Sequence, residues 1–300
     1  MAATTSSTLS ADLQTYFAKK LLKQAKYQTV LDQFAHVENI PANSSKTISF
    51  TQYSDLAVAT TPLTEGTPPT DTALAASAIT ATIDQLGAYV TLTDLAKLTV
   101  KHPVTQKALE LLGSQAAKTY DRLINTTVVA GTSVIYANAV ANRAAIAAGT
   151  DVPEFEEFRK AVAQLRNNGA QEFDDGNFVA VVDPSTEMDL MKDSSFRDAA
   201  IRSGKDEMYK GQIAVFGGIR FVRSNNIPTI ASTTTVHTSY VFGKDAYAVT
   251  DLQTLETYKE GPGSVSDPLH QKMTLGWKVG FKSVILNNNF MVRIESASAY

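Results

Sequence analysis

The sequence predicts an α+β fold, and three observations carry that prediction. Between Lys46 and Asp94, two segments alternate apolar and polar residues with a period of two, the mark of half-buried strands. From Pro103 to about Val129 the apolar positions recur with the helical period instead. From Met273 onward, Leu275, Trp277, Val279 and Phe281 alternate with Thr274, Gly276, Lys278, Gly280 and Lys282, which returns the chain to strand.

Taken in order, Ser10 is an N-cap for an amphipathic helix with Leu13, Phe17, Leu21 and Ala25 on one stripe and Lys19, Lys23 and Lys26 opposite. The lysine face reads as solvated, with DNA or an acidic neighbour as its alternative partner. The first extended arm runs from Lys46 to Val58, with Ile48 and Phe50 facing one way and Thr47, Ser49, Thr51 and Tyr53 the other. A Pro/Thr-rich bridge leads to the second arm, where Ile79, Ala81 and Ile83 alternate with Thr80 and Thr82 before the pattern resumes after Gly87 as Tyr89 to Asp94. At roughly 3.3 Å per residue such arms make a hairpin of about 40 Å, longer than ordinary strands and longer than a domain of this size covers.

The helix from Pro103 is expected to place Leu109, Leu112, Ala116, Tyr120 and Leu123 inside and Lys107, Glu110, Ser114, Lys118 and Asp121 outside. A third helix follows Asp151 and Pro153, buries Phe155, Phe158, Val162 and Leu165, and stops at Asn167-Asn168-Gly169. Phe178 to Val182 is a short apolar strand, and Asp183-Pro184-Ser185-Thr186 caps a helix that carries Met188 and Met191. Gly217-Gly218 joins Ile213–Phe216 to Ile219–Val222 as a tight hairpin. Strands are expected around Ser239–Phe242 and Leu255–Tyr258, and the Asn287–Asn289 run turns the last strand pair into a closing hairpin with Phe290 to Ile294.

Composition narrows the chemistry. With 44% hydrophobic and 19% charged residues the chain builds a real core, and a formal charge of −3 gives no footprint of a dedicated nucleic-acid binder. Cysteine is absent, which removes disulfides, thiolate nucleophiles and thiolate metal sites together. The histidines at 36, 102, 237 and 270 do not have metal-ligand spacing. No G-x-S-x-G, Walker loop or helix-opening G-x-G-x-x-G occurs, and Asp174-Asp175-Gly176-Asn177 lacks the spacing and closing glutamate of a calcium loop, so it reads as a turn. The N-terminus has no signal-peptide pattern, no apolar run approaches the ~20 residues of a membrane span, and the N-x-S/T triplets at Asn43 and Asn125 read as chance. Catalytic, cofactor and metal residues are therefore expected to be absent.

Two separated motifs carry a resemblance. Leu63-Thr64-Glu65-Gly66, Pro68-Pro69 and the run Gln85 to Asp94 stand in the first half; Asp267 to Gln271, Leu275-Gly276-Trp277-Lys278 and Ile285-Leu286-Asn287 stand near the end. Together they resemble the tailed-bacteriophage major capsid proteins of the phage N-four coat protein group, which have the Hong Kong 97-like fold. The resemblance implies an N-terminal arm over residues 1–45, an extended β-hairpin loop over 46–95, a peripheral domain with a long spine helix over 96–150, an axial domain over 151–255, and a return to the peripheral domain over 256–300. It implies a non-enzymatic coat protein that assembles into hexamers and pentamers of an icosahedral shell around double-stranded DNA, in the virion capsid, built in the bacterial host cytoplasm. Expected partners are further copies of the chain, a separate scaffolding protein because the arm is too short to contain one, a portal, weakly and non-specifically bound DNA, and a decoration protein as an optional addition; no membrane and no cofactor is implied. The residues expected to meet neighbouring subunits are Ile48, Phe50, Leu63, Glu65, Pro68, Pro69, Ile79 and Ile83 of the loop and Leu13, Phe17 and Leu21 of the arm, with Gly66, Gly87 and the Thr/Pro bridge as hinges. The lysine, asparagine and carboxylate that crosslink some relatives are not matched here. An encapsulin-like compartment is the alternative reading, and a soluble hydrolase with scattered carboxylates a more distant one.

Overall fold

Val179 and Val181 enter one hydrophobic core while Phe178, Ala180 and Val182 enter another, so the strand that carries them is covered on both faces. That explains its uninterrupted apolar sequence. The computed structural model describes residues 29–41, 45–54, 56–63, 65–66, 71–99, 103–203, 215–260, 267, 269 and 271–299. The predicted helix with Leu13, Phe17 and Leu21, and the Pro68-Pro69 pair, lie outside the described residues.

A 3-10 turn, Leu31–Phe34, leads into β1 (His36–Asn39), β2 (Thr47–Tyr53), β3 (Ala76–Thr82) and β4 (Asp84–Thr93). Helices α1 (Asp94–Thr99) and α2 (Val104–Val129) precede β5 (Val134–Tyr136), α3 (Phe155–Asn167) and β6 (Phe178–Val182). Then come α4 (Pro184–Lys192), α5 (Ser194–Ser203), β7 (Val215–Phe216), β8 (Ile219–Arg223), β9 (Ile230–Ala231), β10 (Thr235–Phe242), β11 (Tyr247–Glu260), β12 (Lys272–Ile285) and β13 (Met291–Ser296). They form a four-stranded sheet in the order β1-β11-β12-β4 and a seven-stranded sheet in the order β5-β13-β10-β6-β8-β7 with β9 beside β10, while β2 and β3, among the described residues, pair only with each other.

Helix α2 runs between the expected bounds. Pro103 precedes it, where a missing N–H costs nothing, and Leu109, Leu112, Ala116, Ile124 and Val128 bury one stripe in the first core with Leu275, Trp277, Val279 and Phe281 of β12. Each fully buried leucine contributes about 1.5–3 kcal/mol. The expected inside and outside faces need two corrections: Asp121 is fully buried and Leu123 is partly exposed. The described residues before β1 lie over the helix at Asp121, a tertiary contact that helical periodicity does not encode.

Helix α3 buries Phe155, Phe158, Val162 and Leu165 as the spacing predicts, against the far face of the seven-stranded sheet. Its capping box pairs the Glu154 side chain with the N3 backbone and the Glu157 side chain with the Glu154 N–H. Asp183 caps α4 through Thr186 N–H at 3.1 Å. Gly217 and Gly218 take φ of 65° and 78°, the left-handed values a two-residue hairpin needs. Asp174–Asn177 is a turn closed by Gly176 N–H to the Phe173 carbonyl at 2.8 Å.

Two strand expectations are corrected. The second arm does not continue past Ile83 in the hairpin: β4 crosses to the four-stranded sheet and pairs antiparallel with β12 from Asp84↔Phe281 to Thr93↔Lys272. The last two strands do not close a hairpin either, because β12 lies between β11 and β4 while β13 lies between β5 and β10 in the other sheet. The Asn287–Asn289 turn redirects the chain between sheets, and alternating side chains cannot distinguish that from pairing back. The neighbouring connection from β10 to β11 makes the opposite passage, and the two are tied by Leu286 N–H to Ala246 O at 3.0 Å and Gly243 N–H to Phe290 O at 3.0 Å.

Candidate inter-subunit interface

The β2–β3 ribbon pairs in register from Thr47↔Thr82 to Tyr53↔Ala76, about 23 Å of ladder at 3.3 Å per residue and shorter than the expected arms. Ile48 opposes Ala81 and Phe50 opposes Ile79 on one face, with threonines and serine on the other. Ile83 N–H donates to Lys46 O at 3.0 Å at the base, and Lys282 Nζ meets Asp84 Oδ2 at 2.9 Å beside it. The Phe50 ring stands edge-on to His36, 6.5 Å between centroids.

The expected contact residues divide into three groups. Ile48, Phe50 and Ile79 are half-covered along the ribbon. Leu63 (76% exposed) and Glu65 stand uncovered at its far end, with Val58 (85% exposed), Leu56 and Leu74 close by in sequence. Ile83 is corrected: at 1% exposure it belongs to the chain's own interior, 3.7 Å from the position a Gly280 Cβ would take, and has no surface to offer a neighbour. Gly87 is corrected as a hinge, because it pairs with Lys278 inside the sheet and a Cβ there would come within 2.7 Å of the Trp277 carbonyl. Gly66, at φ 77° with nothing within 4 Å, keeps the freedom a hinge needs. A two-stranded ribbon is marginal on its own, and both outer edges of this one are unpaired among the described residues. Open edges and uncovered apolar side chains are the features proteins cover by association.

Residues before β1 are fixed at one point. Asp121 Oδ1 accepts the Val30 and Leu31 N–H groups at 3.1 and 3.0 Å, and Tyr247 Oη donates to the Leu31 carbonyl at 2.6 Å. Beside them Tyr120 Oη lies 3.3 Å from Asp32 Oδ1 and 3.4 Å from Asp251 Oδ1. Burial, and then the charge of Asp32, pushes the Asp251 carboxyl up to about 6; burial also raises Asp32. A carboxyl raised in the folded chain binds protons that the unfolded chain has already released, so the junction gains stability as pH falls from 7 to 5 and loses it as pH rises through about 6. Asp251→Asn is expected to flatten that dependence and to stabilise the chain at pH 7.5 by on the order of 1 kcal/mol, a value held down by solvent reaching this half-buried group. Urea unfolding at pH 5 and pH 7.5 checks it.

A second anchor joins α2 to the seven-stranded sheet. Arg143 Nη2 and Nε donate to the two oxygens of the fully buried Glu295 side chain at 2.6 and 2.7 Å. Arg293 Nε donates to Glu295 at 2.7 Å, and its Nη1 reaches the Val129 and Gly131 carbonyls at the end of α2. A cation at a helix C-terminus satisfies orphan carbonyls and opposes the macrodipole. The end of the chain is held similarly, with Asp189 Oδ2 accepting from Ser298 Oγ at 2.8 Å and Ala299 N–H at 3.1 Å. Sequence reasoning missed these anchors; the charged residues inside the apolar run Met291–Ile294 and Glu295 were the available signal.

Residues 50–285 match the family of phage capsid proteins. Among solved structures, the capsid of the cyanophage P-SCSP1u is similar at a TM-score of 0.71 with 19% identity, covering 90% of this chain and 88% of that one. The capsid of Ralstonia phage GP4 aligns at 0.68 with 12% identity, covering 90% and 91%. A virus-like particle from Pyrococcus furiosus aligns at 0.58 with 11% identity, covering 94% and 99%. No curated protein sequence matches. With the family matched over most of its length and the fold shared along nearly all of it, the chain belongs to the phage capsid proteins and is a major capsid protein of Hong Kong 97-like fold.

Proposed function

We propose that this coat protein forms hexamers and pentamers whose subunits are joined by the β2–β3 ribbon laid across the next copy. The observation that carries the reading is the ribbon itself, whose outer edges are unpaired among the described residues and which carries Val58, Leu63 and Leu74 uncovered. In this reading residues 46–83 are the extended loop, the four-stranded sheet with α2 is the peripheral domain, and the seven-stranded sheet with α3 is the axial domain. These domains are not continuous in sequence, since β1, β4, β11 and β12 share one sheet and β13 lies in the other. Assembly takes place in the host cytoplasm on a separate scaffolding protein and a portal, as in the capsid proteins the chain resembles. The modest net charge of −3 suits a wall that confines duplex DNA without binding it through many released counterions.

Electron microscopy and sedimentation of the purified chain test the reading. Closed shells are expected, and nuclease-protected DNA inside particles from infected cells separates a virion from a compartment that encloses protein. Glu65→Ala, or Pro68→Ala with Pro69→Ala, is expected to lower shell yield about tenfold, or about 1.4 kcal/mol per contact, with unchanged circular dichroism of the subunit. Normal and equally stable shells from these variants would remove the loop's assembly role.

A further inference from the structure

Helix α4 is held down by ion pairs. It follows β6 through Asp183, whose Oδ1 caps it at Thr186 N–H and whose Oδ2 lies 2.6 Å from His237 Nδ1 on β10. Glu187 reaches Arg223 of β8 at 3.5 Å, and Asp189 meets Lys192 at 3.5 Å. Because β10 and β8 flank β6, the helix is strapped to both neighbours of its own strand. The His237 strap is the more sheltered: its two side chains are 13% and 10% exposed, against 57% for Arg223. Asp189 also holds the tail, since its Oδ2 accepts from Ser298 Oγ and Ala299 N–H. Residues 298–299 therefore stay in place only while α4 does.

The carboxylates Asp183, Glu187 and Asp189 are matched by Arg223, Lys192 and His237, so the charges balance only when the imidazole is protonated. The other strands beside His237 bring no further partner for it. β6 is apolar throughout, β9 is Ile230–Ala231, and on β13 Ser296 stands opposite while Glu295 and Arg293 bind each other. The Asp183 hydrogen bond raises the imidazole against the cost of burial, helped by the charges of Asp183 and Asp189. Burial opposes the Asp183 charge in turn, but hydrogen bonds from His237 and Thr186 outweigh it and hold that carboxyl low. The raised imidazole stabilises the closed arrangement below its ordinary value near ~6.5, and that contribution is lost as pH rises through the folded value. The share of Asp183 is present above ~3.9 and is lost as pH falls through its lower folded value. We propose that His237 is a proton-operated latch that closes α4 and residues 298–299 onto the seven-stranded sheet. Neutral, it keeps at most an uncharged hydrogen bond to Asp183, and helix and tail open together. The latch belongs to the single subunit and does not depend on the shell reading.

Hydrogen exchange of the full chain, corrected for the intrinsic rate at each pH, tests it. The Glu187 amide, bonded to the Asp183 carbonyl, and the Ala299 amide are expected to lose about fivefold in protection together between pH 6 and pH 8.5. Val181 in β6 should stay level. His237→Gln removes the charge and is expected to hold both amides at the wild-type pH 8.5 level throughout. Asp183→Asn keeps an oxygen for the Thr186 cap and is expected to do the same, which carries the test should His237→Gln fail to fold. Asp251→Asn, in the other sheet, should leave the wild-type dependence at α4 in place. The latch is overturned by equal protection at both pH values in the wild type or by a pH dependence that survives His237→Gln or Asp183→Asn. It is overturned equally by an Ala299 amide that ignores the helix, by the same loss at Val181, or by a response that disappears in Asp251→Asn.

Discussion

Glu295→Gln is expected to destabilise the subunit by about 3–5 kcal/mol, because it leaves Arg293 buried without its counter-charge. That is a large part of the 5–15 kcal/mol typical of a domain. The loss appears as a lower urea midpoint with an unchanged slope, followed through the fluorescence of Trp277. Arg143→Met should cost less, since Arg143 is partly solvated and Arg293 still neutralises the glutamate. The pH dependence has a definite sign. Burial works against the Glu295 charge, but the Arg143 hydrogen bond and the charges of Arg293 and Arg143 outweigh it and hold the carboxyl below its ordinary range. A depressed carboxyl stabilises the folded chain above the unfolded value near ~4.3, and that contribution fades as pH falls through the folded one. The Asp251 junction moves in the opposite direction; Asp183, where burial is outweighed by the His237 hydrogen bond and the carboxyl is held low, moves in the same direction as Glu295, so Glu295→Gln should reduce the acid dependence below pH 4 without removing it.

Asp121→Ala is expected to cost about 2–6 kcal/mol, since it strips the acceptor from two N–H groups, Val30 and Leu31, at about 1–3 kcal/mol for each one left unsatisfied. The effect should be local. Hydrogen exchange at Leu31 should accelerate and a protease should cut near Val30, while amides of β6 stay protected. Asp121→Asn retains one oxygen acceptor in the same place and should cost under ~1 kcal/mol. Equal losses in both variants would mean that the carboxylate acts through its charge rather than as the acceptor for this turn.

Much of this architecture is legible in the sequence, for identifiable reasons. The bounds of α2 follow from Pro103 and a sustained apolar stripe, and the two faces of β2 from strict alternation, because these signals are local and the backbone answers to them alone. The fold and the family were reached from the separated motifs around Leu63–Gly66 and Leu275–Lys278. Partner choice was not legible. Asp84–Thr93 alternates equally well in a ribbon or in a sheet, and Met291–Ser296 can follow its turn into either of two sheets. Asp121 looked solvent-facing because a helical wheel contains no information about the turn that lies over it. Of the residues expected at the interface, the ribbon's Ile48, Phe50 and Ile79 could be placed on one face in advance, but Ile83 continues the same alternation into the core.

The two neighbouring passages between the sheets, Phe242 to Tyr247 outbound and Ile285 to Met291 on the way back, are strapped to each other through Ala246 and Phe290. A pull arriving along β12 is therefore delivered into β13 and β10 at once, as through a braced beam. In the proposed shell, the difference in curvature between a five-fold and a six-fold ring would be taken up outside this beam. Gly66, with nothing within 4 Å of the place a side chain would take, is one described position with room to do so.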